Sequence, residues 1–229
     1  MACVRGGWRT ALRRNGLARL HTSDFLSGQA EFAGLGWSYD RRVEVLQEFI
    51  DIIRRYIQCG ISVGVDAQVY KEVLAGQRKK PSAEGFAFER IVHLCRKVLE
   101  PLPDGLPFHL VFDDCEEHSM KFYGQLRDLK ARRPAIRAGV AGISFCNDNV
   151  IPQLQAADLL ACATLREFPL GAQKAWSEGP FAGLLRDLDG EPLPYYSEYW
   201  DADELRTRQA ELIVALSNTR GPLNPAAKA

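Results

Sequence analysis

Short β-branched apolar runs alternate with long amphipathic stretches along this chain, and that alternation limits its possible folds more than any other feature. From Tyr39 to Gln58, the residues Val43, Leu46, Ile50, Ile53 and Ile57 recur at steps of three and four, which marks one face of a helix that Gly60 stops. Ile61 to Val65 is short and uncharged, as a buried strand should be. A second helix over about Ala83 to Leu99 aligns Phe88, Ile91, Cys95 and Val98, and Pro101 and Pro103 break the chain after it. Phe108 to Phe112 is apolar apart from His109 and ends abruptly in Asp113 and Asp114. The next helix carries Phe122, Leu126 and Leu129 on one face, exits through Lys130, Arg132 and Arg133, and is closed by Pro134. Ala138 to Cys146 returns as a strand, and a last regular helix runs from near Pro152 to about Phe168.

Strands that alternate with helices of this length predict an α/β sheet rather than a bundle or a sandwich. Pro169 to Pro194 reads as loop with a short helix at Phe181 to Leu188, followed by an aromatic cluster of Tyr195, Tyr196, Tyr199 and Trp200. A final amphipathic helix carries Leu205, Leu212, Ile213 and Leu216. With no repeat, low-complexity tract or linker, a single domain over residues 1–217 with a frayed tail over 218–229 is the expectation.

The composition excludes several classes. Of the 229 residues, 46% are hydrophobic, enough for a real core, so disorder throughout is ruled out. The 29 basic residues balance the 29 acidic ones, so a chain-wide polycationic grip on nucleic acid is excluded, and any such contact must be regional. Arg137, Asp148, Asp158 and Arg166 interrupt the most apolar stretch before it reaches the ~18 residues of a membrane span. The scattered cysteines form no C-x-x-C pair and read as reduced, mostly buried thiols of a cytoplasmic protein. Ahead of the first acidic residue, Asp24, stand Arg5, Arg9, Arg13, Arg14 and Arg19, a pattern shared by organelle leaders and by surface helices.

Two features could carry chemistry. Asp158 lies in a helix whose neighbours Leu154, Ala157, Leu159, Leu160 and Ala161 are apolar nearly all round, which predicts burial. A carboxylate buried there needs a partner: a cation, a backbone group that it caps, or a metal. Asp113 and Asp114 end a strand, where open α/β sheets hold ligands; alternation directs them to opposite faces, so one is expected as a metal ligand and the other as a helix cap. A hard cation such as Mg²⁺, shared by carboxylates from separate elements, activates water and stabilises the leaving oxygen in phosphodiester cleavage.

The string Ile143-Ser144-Phe145, followed by Ile151-Pro152-Gln153-Leu154-Gln155-Ala156-Ala157-Asp158-Leu159-Leu160-Ala161, resembles the C-terminal motif of the bacterial and phage proteins grouped as DUF3800. Leu20-His21-Thr22-Ser23-Asp24-Phe25 resembles that family's early His-containing motif, and Val111-Phe112-Asp113-Asp114 its middle strand. The resemblance spans roughly His21 to Trp200. It implies an RNase H-like fold, a central mixed sheet flanked by helices, and a nuclease that uses Mg²⁺ or Mn²⁺ on DNA or RNA. Carried over, Asp113 and Asp158 would be metal ligands, with His21 and Asp24 as further site residues. The family's opening strand with Asp-Glu-Ser-Gly and the strand after it have no counterpart here. The resemblance therefore also implies missing N-terminal strands and a lost bridging ligand, which makes an inactive nucleic-acid-binding or protein-interaction module the alternative.

Other signals are weaker. Gly60-Ile61-Ser62-Val63-Gly64 spells a hydrolase elbow, but a helix precedes it and the serine begins a strand, the wrong context for a nucleophile. His93 and His118 show no zinc spacing. Arg78, Lys79 and Lys80, together with Lys130, Arg132, Arg133 and Arg137, are the candidate phosphate contacts, although such runs are more often solvated faces.

Overall fold

The computed structural model describes residues 2–77, 80–100, 107–167 and 179–218. In chain order the elements are α1 (Ala2–Arg14), α2 (Thr22–Ser27), a 3₁₀ turn (Ala30–Leu35), α3 (Tyr39–Tyr56), β1 (Gly60–Val65), α4 (Ala67–Val73) and α5 (Ala83–Leu99). There follow β2 (Phe108–Asp113), α6 (Glu116–Arg132), α7 (Pro134–Gly139), β3 (Val140–Cys146), α8 (Gln153–Glu167), β4 (Tyr195–Trp200), α9 (Ala202–Thr207) and α10 (Gln209–Asn218). Several starts are fixed by local caps. The Ser38 hydroxyl accepts from the Arg41 amide, Asp66 from Gln68 and Val69, Ser82 from Gly85, and Asp201 from Glu204. Gly28 ends α2 in the left-handed region at φ +66°, where a side chain would be strained.

The chain is mixed α/β, as the alternation predicts, but helix predominates at 59% against 14% strand. Among the described residues the strands form two separate two-stranded parallel pairs, β1 with β4 and β2 with β3, in place of the expected single central mixed sheet. The Gly60 amide donates to the Pro194 carbonyl and the Asp66 amide to the Trp200 carbonyl, both at 2.9 Å, which sets the first register; Asp114 N to Cys146 O at 3.1 Å extends the second.

The described chain forms two compact units, each discontinuous in sequence. One comprises Met1–Ser62, His109–Glu116 and Gly142–Tyr196; the other comprises Val63–Phe108, Glu117–Ala141 and Ser197–Ala229. The first is built on α1, α2, α3 and α8. Trp8, Leu20, Phe25, Phe49, Ile50 and Leu159 are fully buried in it, and the Trp8 and Phe49 rings meet at 4.7 Å. Burying each such side chain contributes about 2 kcal/mol. The second unit has a smaller core of Tyr70, Leu74, Phe86, Trp200 and Leu205.

Several expectations are corrected. Pro134 closes α6 but also opens α7 as its first residue, so the strand expected from Ala138 begins at Val140. Phe181 to Leu188 is not helical; Gly179 and Gly183 both take φ +81° and turn the chain. The aromatic cluster is the strand β4, and the final helix divides at Arg208. Of the expected tail, Asn218 ends α10, and the rest lies outside the described residues. Cys59, Cys95, Cys115, Cys146 and Cys162 form no disulfide among the described residues, and Cys115 is exposed while the other four are half-buried rather than mostly buried. Among the described residues no helix is long and apolar enough to cross a membrane.

The candidate site around Asp158

The helix that carries Asp158 is less buried than its composition predicts. Leu154, Gln155, Ala156, Leu159 and Ala163 of α8 face the core, whereas Ala157 and Ala161 are exposed and Leu165 is 78% exposed. The alanines add little apolar area, so turning that side to water costs little. Asp158 sits half-buried at the edge between these two faces.

Its partner is a helix terminus. Asp158 Oδ2 accepts from the Thr22 amide at 2.9 Å, one of the donors that the first turn of α2 leaves unpaired. His21 occupies the N-cap position and makes no capping bond to that turn, so Asp158 supplies the acceptor from another element. The His21 ring instead meets Asp24, with Nδ1 and Oδ2 2.9 Å apart. The buried Thr22 hydroxyl has no hydrogen-bond partner among the described residues. Among the described residues, no cationic side chain pairs with Asp158.

One helical turn earlier, Gln155 fastens the same loop. Its Oε1 accepts from Trp8 Nε1 and from the Leu20 amide, both at 2.9 Å, and its Nε2 donates to the Asp148 carbonyl at 3.2 Å. Gln155 is only 1% exposed. Sequence reasoning missed this residue, although an amide at i−3 from Asp158 on a helix face otherwise apolar was a readable signal. Nearby, the Arg19 guanidinium is held above its ordinary pKa, first by its hydrogen bond to Glu31 and then by Asp148 and Asp24.

Asp113 and Asp114 are exposed at the carboxyl end of β2, which is bonded to the end of β3. Asp113 Oδ1 accepts from the Asp114 amide at 3.1 Å. Asp113, Asp158, His21 and Asp24 thus belong to one compact unit, but no hydrogen bond joins Asp113 to the other three. Asp158 and Asp113 offer hard oxygen donors of the type Mg²⁺ takes, and Mg²⁺ sites commonly use one or two carboxylates with substrate phosphates. Among the described residues, no three His, Cys, Asp or Glu side chains are gathered as a metal cage.

The candidate phosphate contacts have local partners. Lys80 Nζ donates to the carbonyls of Lys71 and Leu74 at the end of α4, at 3.1 and 2.8 Å. Lys130 Nζ donates to Ala141 O at 3.0 Å, Arg132 Nε to Asp128 O at 3.2 Å and Arg137 Nε to Lys130 O at 3.1 Å. Lys80, Arg132 and Arg137 thus close helix ends, where the dipole favours cations, whereas Lys130 fastens α6 to a carbonyl of β3. Arg133 is exposed and makes no side-chain hydrogen bond or ion pair among the described residues. Arg78 and Lys79 lie outside the described residues. Ser62 is inside β1 and shares a hydrogen bond with the Tyr195 hydroxyl at 2.5 Å, so no nucleophile elbow exists there.

Compared with known proteins, the chain matches no family model, no curated protein and no solved structure.

Proposed function

We propose that this chain is a cytoplasmic, DUF3800-like protein of RNase H-like descent, and that its chemistry is metal-assisted hydrolysis of phosphodiester bonds in DNA or RNA. The supporting observation is the position of Asp158 beside the His21–Asp24 pair, with no cationic side chain among the described residues to neutralise it. In this reading Asp158 and Asp113 would hold Mg²⁺ or Mn²⁺, which when bound would supply Lewis-acid stabilisation of charge on phosphate oxygens. His21, oriented by Asp24, is a proton-transfer group at the imidazole nitrogen that Asp24 does not engage.

A second reading has its own observation. Asp158 already has structural work in capping Thr22, which suits a catalytically inactive nucleic-acid-binding or protein-interaction module. Asp158→Asn separates the two, because an amide oxygen still accepts from Thr22 while the charge is gone. Wild type and variant are incubated with single- and double-stranded DNA and RNA, with and without Mg²⁺ or Mn²⁺. Cleavage that needs both the metal and the Asp158 charge is expected. An absence of such cleavage in a folded protein overturns the hydrolytic reading and leaves the second.

A further inference from the structure

A cavity of about 140 Å³ opens within the second unit, where α5, α6 and α10 contribute lining residues. Its inner wall is apolar, with Tyr70, Leu74, Phe86, Leu129 and Leu212. Its polar residues are concentrated in Glu89, Arg90 and His93 from α5 and in Arg132 and Arg133 at the end of α6.

The charges are unevenly satisfied. Arg90 is taken by Glu198 in a two-pronged contact at 2.7 and 2.8 Å and lies 5.3 Å over the Trp200 ring, so it is a fixed part of the wall. Arg132 reaches Glu89 only at 3.8 Å, beyond hydrogen-bond length. Arg133 has no ion pair among the described residues, yet it lines the same cavity. Burial also pushes the His93 imidazole below its ordinary pKa, helped by Arg90 and Arg133, so at neutral pH it adds no positive charge. Three arginines against Glu89 and Glu198 leave one positive charge at the mouth of an apolar recess. A dianion would over-compensate that charge and meet Glu89, whereas a monoanion balances it.

We propose that this cavity is a binding site for a small monocarboxylate with an apolar body, its carboxylate held by Arg133 and Arg132 and its body against Phe86 and Leu129. This site is independent of the nuclease reading, since none of its residues belongs to the unit that carries Asp158.

Phenylacetate is the probe, titrated calorimetrically into the full chain beside its neutral amide, phenylacetamide, and inorganic phosphate. Saturable phenylacetate binding is expected, with the amide weaker by about tenfold or more, as loss of one charge-assisted hydrogen bond requires. Arg133→Gln should weaken phenylacetate by about the same factor. Arg133 is exposed, and an unchanged melting temperature shows that the variant folds. Arg127→Gln, on the helix that Arg133 follows but 72% exposed and set against Asp128, should bind as wild type does. The proposal is overturned if phenylacetate fails to saturate, if amide or phosphate binds as well, or if the Arg127 and Arg133 variants behave alike.

Discussion

A carboxylate and a carboxamide that accept the same backbone hydrogen bond differ by a charge and by little else in size. Asp158→Asn should therefore leave chemical stability nearly unchanged, within about 0.5 kcal/mol, because the Thr22 amide keeps its acceptor. Asp158→Ala should cost about 1–2 kcal/mol, as removal of a helix cap does. Urea unfolding of both variants measures the difference, and equal losses would mean that the hydrogen bond does not hold α2. Gln155 is the stronger fastening. Gln155→Leu fits the buried position but strands the Trp8 indole N–H and the Leu20 amide, so a loss of about 2–4 kcal/mol is expected from two unpaired buried donors. A midpoint shift too small for even one such donor would contradict this accounting. The motif containing Gln155 and Asp158 thus has a structural reason to persist whether or not the chain cleaves anything.

At the scale of elements, two glycines should respond to alanine with opposite signs. A Cβ at Gly64 in β1 would lie 2.6 Å from the Tyr199 ring of β4, so Gly64→Ala is expected to cost about 1–3 kcal/mol through overpacking. Gly124 lies within α6 with nothing within 4 Å of its would-be Cβ among the described residues, so Gly124→Ala should stabilise by about 0.5–1 kcal/mol. Thermal melts of the pair check both signs. The sequence discloses elements unequally for similar physical reasons. α3 and α5 are legible because their apolar residues repeat at helical spacing and Ser38 and Ser82 mark their starts. β4 is not, since Ser197 and Glu198 interrupt its aromatics and Glu198 is satisfied by Arg90, a partner 108 residues away. α7 is hidden because proline both stops and starts helices. At the candidate site, the need for an Asp158 partner is readable, but the choice between a metal and a backbone amide depends on where α2 packs against α8.

For the molecule as a whole, two groups of the second unit should shape stability against pH in opposite directions. Burial pushes the Glu89 carboxyl up against the pull of Arg132, Arg133 and Arg90, and it pushes His93 down. The raised Glu89 contributes stability that is complete below an ordinary glutamate pKa of about 4.3 and is lost as pH rises through its folded value. The lowered His93 contributes stability that is complete above about 6.5 and is lost as pH falls toward its folded value. Glu89→Gln should therefore raise the urea midpoint at neutral pH, while His93→Gln should flatten the decline on acidification below about 6.5. Denaturation series in several buffers would show this. Parallel curves for the wild type and both variants would rule it out.

Trp8 is wholly enclosed in one unit and Trp200 nearly so in the other, at 0% and 5% exposure. The chain thus carries a native optical reporter in each body. With Trp37 and Trp176 replaced by phenylalanine, and either Trp8 or Trp200 replaced in turn, emission spectra would follow each body's melting by itself. Coincident curves would make the molecule one cooperative machine, and staggered ones would make it two.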